Sequence, residues 1–347
     1  MATTITRYVN TASTAGGNGT TNATTGANRA YATMNACVAA LKATHADMVT
    51  NDVVLDVRAS GATADTVQVD ISGFTGDATR YLMITGEASK SWDTAKYRLT
   101  VAAASVFAGV PPSFTRLIGL QLRNANGYGI IDCGSPAAGY TFALRDCLID
   151  QVGVARGGPN SVVISAGTAS RSLTLVNNVV VGNLDQVVKW SYSGGTHVVY
   201  NNTVRITGLT GTTIVDLSNG GGTLRLHNNI VECTGAAGSC YAIGGHTQTS
   251  SANISSDNTS PQTALRSKTL TYVNAAAGDL TPASTDTVAL DVGTNLSADG
   301  TYPFAADIMG TARPQGSAWD LGAIERIASG GSTALPVFLH QYRQRRS

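Results

Sequence analysis

Leu175-Val176-Asn177-Asn178-Val179-Val180, two asparagines set between aliphatic pairs, decides the fold of this 347-residue chain. The pattern returns as Val199-Tyr200-Asn201-Asn202-Thr203-Val204 and as Leu226-His227-Asn228-Asn229-Ile230-Val231. Weaker copies flank these three: Leu120-Gln121-Leu122-Arg123-Asn124-Ala125, Leu144-Arg145-Asp146-Cys147-Leu148-Ile149 and Asn253-Ile254-Ser255-Ser256-Asp257-Asn258. With Asn124, Asp146, Asn177, Asn201, Asn228 and Asp257 taken as equivalent marks, the separations are 22, 31, 24, 27 and 29 residues, a solenoid period with loops of variable length. A short strand buries alternate side chains inside the coil, a polar residue turns the corner, and the next strand begins at once. Asparagine suits that corner because it tolerates left-handed backbone angles and its amide can bond the coils on either side, forming a ladder. A β-sandwich has no reason to repeat one Asn-Asn corner in this way. The expected fold is therefore all-β, a right-handed parallel β-helix solenoid.

Composition agrees with coils of strands. Hydrophobic residues are 43% of the chain and charged residues only 13%, with 38 glycines, so the polar positions are mostly uncharged. Helical bundles need more Lys, Glu and Arg on their exposed faces than that. The formal net charge of +1 gives no global field toward nucleic acid, and no segment is long and apolar enough to insert in a membrane. Asn51 to Asp56, Thr66 to Ile71, Tyr81 to Thr85 and Tyr97 to Val101 alternate like the strands of earlier coils. Just before them Met34, Cys37, Val38 and Leu41 fall at i, i+3, i+4 and i+7 behind a capping Thr33, which predicts an amphipathic helix laid over the open end of the solenoid.

Four segments follow from this. Residues 1–50 form an N-terminal arm and capping helix, and 51–260 form the parallel coils. Residues 261–327, with strand-like runs at Leu270 to Val273 and Thr287 to Val292, are expected to supply the last coils and close the far end. Residues 328–347 are a linker, Ser329-Gly330-Gly331-Ser332, and a tail that carries three arginines and no acid. That tail reads either as a disordered charged end or as an anchor, in which Leu335, Val337, Phe338, Leu339 and Tyr342 bury in a neighbouring protein while Arg343, Arg345 and Arg346 meet acidic groups.

The repeats resemble the right-handed parallel β-helix, pectin-lyase-like superfamily. Arg7-Tyr8-Val9-Asn10, Gly16-Gly17-Asn18-Gly19-Thr20-Thr21, Gly26-Ala27-Asn28 and Tyr31-Ala32-Thr33 look like the entry segment of such proteins in bacteriophages and bacteria. Asp307-Ile308-Met309-Gly310-Thr311-Ala312-Arg313 with Trp319-Asp320-Leu321-Gly322-Ala323-Ile324-Glu325 resembles the D-x-x-G-x-x-R and D-x-G-A-x-E ending common in that group. Bacterial relatives usually carry an export signal and a surface anchor, and the N-terminal run Met-Ala-Thr-Thr-Ile-Thr-Arg has the character of neither. The resemblance thus implies a structural protein of a phage particle, made in the host cytoplasm and displayed on the virion surface as a decoration, fibre or spike. Its partners would be other capsid or tail proteins and copies of itself, with trimers favoured.

The rival readings are a polysaccharide lyase or glycoside hydrolase acting on host-surface glycan, and a passive glycan-binding module. A glycosidase needs two carboxylates across one groove, and the candidates are Asp146, Asp150, Asp185, Asp216 and Glu232. The superfamily's hydrolase signatures do not occur as a set, for Gly244-Gly245-His246 and Arg205-Ile206-Thr207 only graze two of them, and no acid cluster offers calcium to a lyase. Trp190, Tyr192 and Tyr200 could form an aromatic sugar platform, or could serve in packing. His45, His197, His227, His246 and His340 lack metal spacing, and Gly16-Gly17-Asn18-Gly19 lacks the lysine of a phosphate loop, so no metal or cofactor is expected. Of the five cysteines, Cys37, Cys133, Cys147, Cys233 and Cys240, only the last two are spaced to close a small loop; small buried apolar side chains is the general reading.

Overall fold

In the computed structural model the described residues are 1–109, 114–132, 140–155, 162–166, 171–190, 194–207, 213–218, 221–234 and 238–327. The linker and tail at 328–347, with all eight expected anchoring residues, lie outside the described residues, as do Cys133 and Tyr192.

The chain winds into a parallel β-solenoid of about six turns. Each coil gives one strand to each of three sheets: a nine-stranded sheet from Thr3–Asn10 to Thr247–Ser251, an eight-stranded sheet from Ala64–Asp65 to Ile254–Ser255, and a seven-stranded sheet from Val69–Asp70 to Ser239–Ile243. All pairings within them are parallel, and Leu117, Leu144, Leu175, Val199 and Leu226 stack in register through the lumen. The helix Met34–His45 forms as its periodicity predicts. Thr33 caps it by accepting from the Ala36 N–H at 3.2 Å, and Met34, Cys37, Val38 and Leu41 are its buried residues. The Met34 N–H donates to buried Asp65, which also accepts from the Tyr97 hydroxyl, so the lid is tied to the first coils by one carboxylate.

The corner between the first and second sheets is where the asparagine pairs act, and the two members of each pair do different work. The first takes the left-handed turn: φ is +54° at Asp146 and Asn177, +50° at Asn201 and +57° at Asn228. Asn and Asp adopt this conformation at the lowest cost among side-chain-bearing residues. Register places Gly119 (φ +65°) and Ala252 (φ +54°) in the same column. The turn reverses the in-out alternation, so the second residue points into the coil. Asn178, Asn202, Asn229 and Asn253 are therefore the buried amide stack. Each Oδ1 of Asn202, Asn229 and Asn253 accepts both the main-chain N–H and the side-chain amide of the asparagine one coil earlier, at 2.8–3.1 Å. Gln262 ends the stack by accepting both donors of Asn253, and Cys147 begins it by donating its N–H to Asn178.

Two of the six expected ladder positions are corrected by this register. Asn124 pairs with Val101 at the far end of a second-sheet strand, where its amide donates to Ala103 and Gly129 carbonyls. Asp257 lies beyond the last second-sheet strand and accepts from Thr259 and the Cys240 N–H. Asn124 thus ends its strand and Asp257 lies past the end of the last one, both about a strand length from the Asn-Asn corner.

Residues 261–327 are also placed differently from expectation. The stretch from Ser260 to Lys268 closes the far end, bonding Asn253, Ser255 and Asp257 of the last coil. The remainder adds no coil: Tyr272–Asn274 and Asp279–Pro282 make a separate antiparallel hairpin, Thr287 to Val292 is not a strand, and the segment runs back along the outside of the Asn-Asn corner as a strap. Outward side chains there are apolar and covered. Leu148, Val179 and Val181 meet Leu280, Ile308 and Ile324; Val176, Val198 and Tyr200 meet Leu296, Phe304 and Trp319. The left-handed asparagines tie the strap down: Asn177 donates to the Ala306 carbonyl at 2.8 Å, Asn201 to Gly322 at 3.1 Å and Asn228 to Thr294 at 2.8 Å. Continuous runs such as Val179-Val180-Val181 are the sequence mark of strands buried on both faces.

Candidate functional site

The carboxylates that could serve a glycosidase are dispersed. Asp150 and Glu232 do share one outward column of the second sheet, through Asp150–Val181, Val181–Arg205 and Arg205–Glu232. Three strand steps put them about 14 Å apart, beyond the roughly 5–9.5 Å that either glycosidase geometry requires. Asp150 is held within the coils and Glu232 by the strap. Asp150 pairs with Arg123 at 3.0 Å, whose guanidinium lies 4.0 Å over the Trp92 ring. Glu232 accepts the Tyr272 hydroxyl at 2.8 Å, and burial pushes its carboxyl above the usual range. Asp216 stands on the third sheet and accepts from the Ser218 N–H and hydroxyl. Asp185 is buried and partnered.

Asp146 has the most perturbed environment of the set. Burial raises its pKa to about 6 against the opposing pull of Arg145 and Asn177, with the charge of Asp307 adding to the rise. Asp307 is a neighbour that sequence spacing gave no way to pair with it. Its own oxygens accept the N–H groups of Met309, Thr311 and Glu325, which makes it a turn-former of the strap. The neighbouring motif residues are equally occupied. Arg313 donates to Glu325 at 2.9 Å and to the Asp320 and Gly322 carbonyls, while Asp320 accepts from Asp291 and Arg326 N–H groups. Burial pushes Arg313 down and Glu325 up, each partly opposed by the other.

Compared with protein-family models, curated proteins and solved structures, the chain matches none. The solenoid and its surfaces carry the functional reading on their own.

Tyr200 does not form a sugar platform. It is fully buried, edge-on to His227 and stacked with Phe304, and its hydroxyl accepts from Arg225 at 2.8 Å and donates to Asp299 at 3.3 Å. The side chain of Trp190 lies outside the described residues. An aromatic and cationic surface occurs elsewhere, on the outward face of the first coils. There a groove of about 600 Å³ is lined by Met1, Asp52, Val54, Arg80, Tyr81 and Arg116, with the Arg116 guanidinium 3.7 Å over the Tyr81 ring. Arg80 is already held by Asp77 and Asp52. Tyr81 and Arg116 come from successive coils 35 residues apart, so only the register brings them together. Among the described residues one set of metal-type ligands converges, Cys233, Cys240 and Asp257.

The titrating groups at the coil give opposing pH effects. Asp146 binds its proton more tightly folded than unfolded, so its contribution to stability is full below about pH 4 and is lost as pH rises through about 6. His197 faces the lumen beside His246, and burial first, then that neighbour, lowers its pKa to about 4. Its contribution is full above about pH 6.5 and is lost as pH falls toward 4. Asp146→Asn, which restores the residue used at the next three corners, is expected to raise stability at pH 7 by about 1–3 kcal/mol. It should also expose the acid-side loss due to His197. Urea midpoints from pH 4 to 7.5 check both parts, and a variant that loses stability at pH 7 would contradict them.

Proposed function

We propose that this protein is a structural component of a bacteriophage particle, displayed on the virion surface as a decoration, fibre or spike and made in the host cytoplasm. The observation that carries the reading is the use of the polar groups: the D-x-x-G-x-x-R and D-x-G-A-x-E residues bond one another and brace the strap from within, while Glu232 and the Asn177, Asn201 and Asn228 amides tie it to the coils. A rod whose coils are bonded to each other inside, and strapped outside, opens slowly and resists proteases, as an exposed particle component must. The basic, aromatic tail with Leu335, Phe338, Tyr342 and Arg343 is the proposed attachment to capsid or tail proteins, and trimers are the proposed assembly. Deleting residues 334–347 is expected to leave a soluble solenoid with an unchanged melting temperature that no longer joins particles. Normal incorporation of the truncated chain would refute the anchor.

The Tyr81–Arg116 groove favours glycan binding as a second reading, because an aromatic face with a cation suits an acidic sugar. Retention on an acidic bacterial polysaccharide column, lost in Arg116→Ala and Tyr81→Ala, would support it. Release of reducing ends or unsaturated sugar by the wild type, abolished by Asp216→Asn, would instead make the protein a glycan-cleaving enzyme.

A further inference from the structure

We propose that Cys233 and Cys240 form a disulfide that locks the outermost coil of the solenoid, with Cys233 as the entry thiol and Cys240 as the resolving one. Cys233 lies next to the end of the second-sheet strand Ile230–Thr234 and Cys240 in the third-sheet strand Ser239–Ile243, on either side of one loop. Their sulfurs are 2.8 Å apart, less than 1 Å from bonding distance. The backbones that carry them are already fixed. The Cys233 N–H donates to Ser256 Oγ at 2.9 Å and the Cys240 N–H to Asp257 Oδ2 at 2.8 Å, so the chain leaving the last strand holds both cysteines in place. Little order would be lost on bonding.

The same numbers weigh against a metal. Two thiolates sharing a tetrahedral zinc sit about 3.8 Å apart. Reaching that would push the strands away from each other, and the carboxylate of Asp257 is already accepting from Thr259 and Cys240.

Exposure and acidity assign the order of events. Cys233 is partly exposed, and the hydrogen bond from Cys240 lowers its pKa; Cys240 is fully buried, and its pKa is raised. The oxidant is a small external disulfide such as oxidised glutathione. Cys233 gives its proton to solvent and its thiolate attacks one sulfur of that disulfide, breaking the S–S bond and releasing one thiolate, which takes up a proton. Cys240 then loses its proton and attacks Cys233 Sγ, expelling the second thiolate. Two protein thiols are oxidised and the external disulfide is reduced to two thiols.

The test uses the full chain, equilibrated with oxidised glutathione, alkylated while native and digested with trypsin. Cleavage after Arg225 and Arg266 leaves both cysteines in one peptide. The expected peptide carries no alkyl group and no glutathione and is lighter by two hydrogens, a change reversed by a phosphine reductant. Cys240→Ser is expected to stop at a glutathione adduct on Cys233, and Cys233→Ser to give no adduct on Cys240. Backbone hydrogen exchange across Ser239–Ile243 should slow on oxidation, and the melting temperature should rise by a few degrees. Two cysteines that remain open to alkylation after this treatment would overturn the proposal. So would one zinc per chain that shields both thiols until a chelator is added.

Discussion

Arg313→Ala is expected to cost about 3–5 kcal/mol of stability and to free the strap before the coils open. The Arg313 side chain is 0% exposed and its partner Glu325 1% exposed, at 2.9 Å. Removing the guanidinium leaves the Glu325 carboxylate buried with only the N–H groups of Gln315 and Asp320 as donors, and leaves the Asp320 and Gly322 carbonyls without its two further bonds. Gly322 is also the point where Asn201 grips the strap, so the loss spreads to the corner. The guanidinium lies 5.5 Å from the Trp319 ring, which makes tryptophan fluorescence a suitable probe. Denaturant titration gives the size of the effect, and limited proteolysis between residues 270 and 325 at low denaturant gives its location. Replacing both partners by apolar residues, Arg313→Met with Glu325→Leu, should cost much less than the single change, because no charge is then stranded. A loss under 1 kcal/mol for Arg313→Ala would mean that the motif does not hold the strap in shape.

Asn202→Ala is expected to destabilise the solenoid by a similar amount, about 3–5 kcal/mol, and the loss should fall on the coils themselves. The Asn202 amide accepts from both the N–H and the side chain of Asn178 and donates to Asn229 and to the Leu175 carbonyl, all in the dry interior. A methyl group there orphans the Asn178 N–H and leaves a cavity in the middle of the stack, each a cost of about 1–3 kcal/mol. Its neighbour provides the control. Asn201→Gly keeps the left-handed turn, since glycine enters that region freely, and loses only side-chain bonds to Gly322 and Asn228, so about 1–2 kcal/mol is expected. Guanidinium midpoints for the two variants measure the difference. Equal losses would show that the inward stack is no more important than the outward ties.

These two residues mark the limit of what the pattern revealed. The recurrence of Asn-Asn between aliphatic pairs was enough for parallel coils, since few other folds repeat a polar corner at that period. Which asparagine faces inward was not legible, because strand alternation predicts one parity and the positive φ at Asn177, Asn201 and Asn228 resets it. Asn124 and Asp257 share the residue type of the corner, although register sets Asn124 at the other end of a strand and Asp257 beyond it. The candidate carboxylates show the same limit: Asp146 takes the left-handed turn and Asp150 lies in the strand after it, while Asp146 and Asp307 are neighbours across 161 positions.

Local chemistry, then, dictated the strands, the helix with its Thr33 cap and the turning residues, because each depends on side chains within a few positions of one another. The Tyr81–Arg116 groove depended on the stacking register, which sets neighbours roughly 4.8 Å apart in space from positions some 24 to 35 apart in the chain; the strap and the two-sided burial of Val179 and Val181 depended on contacts longer still, and the approach of Cys233 to Cys240 on the chain leaving the last strand, which bonds both. That register is fixed only when whole coils bond to one another, so the tertiary structure alone decided it.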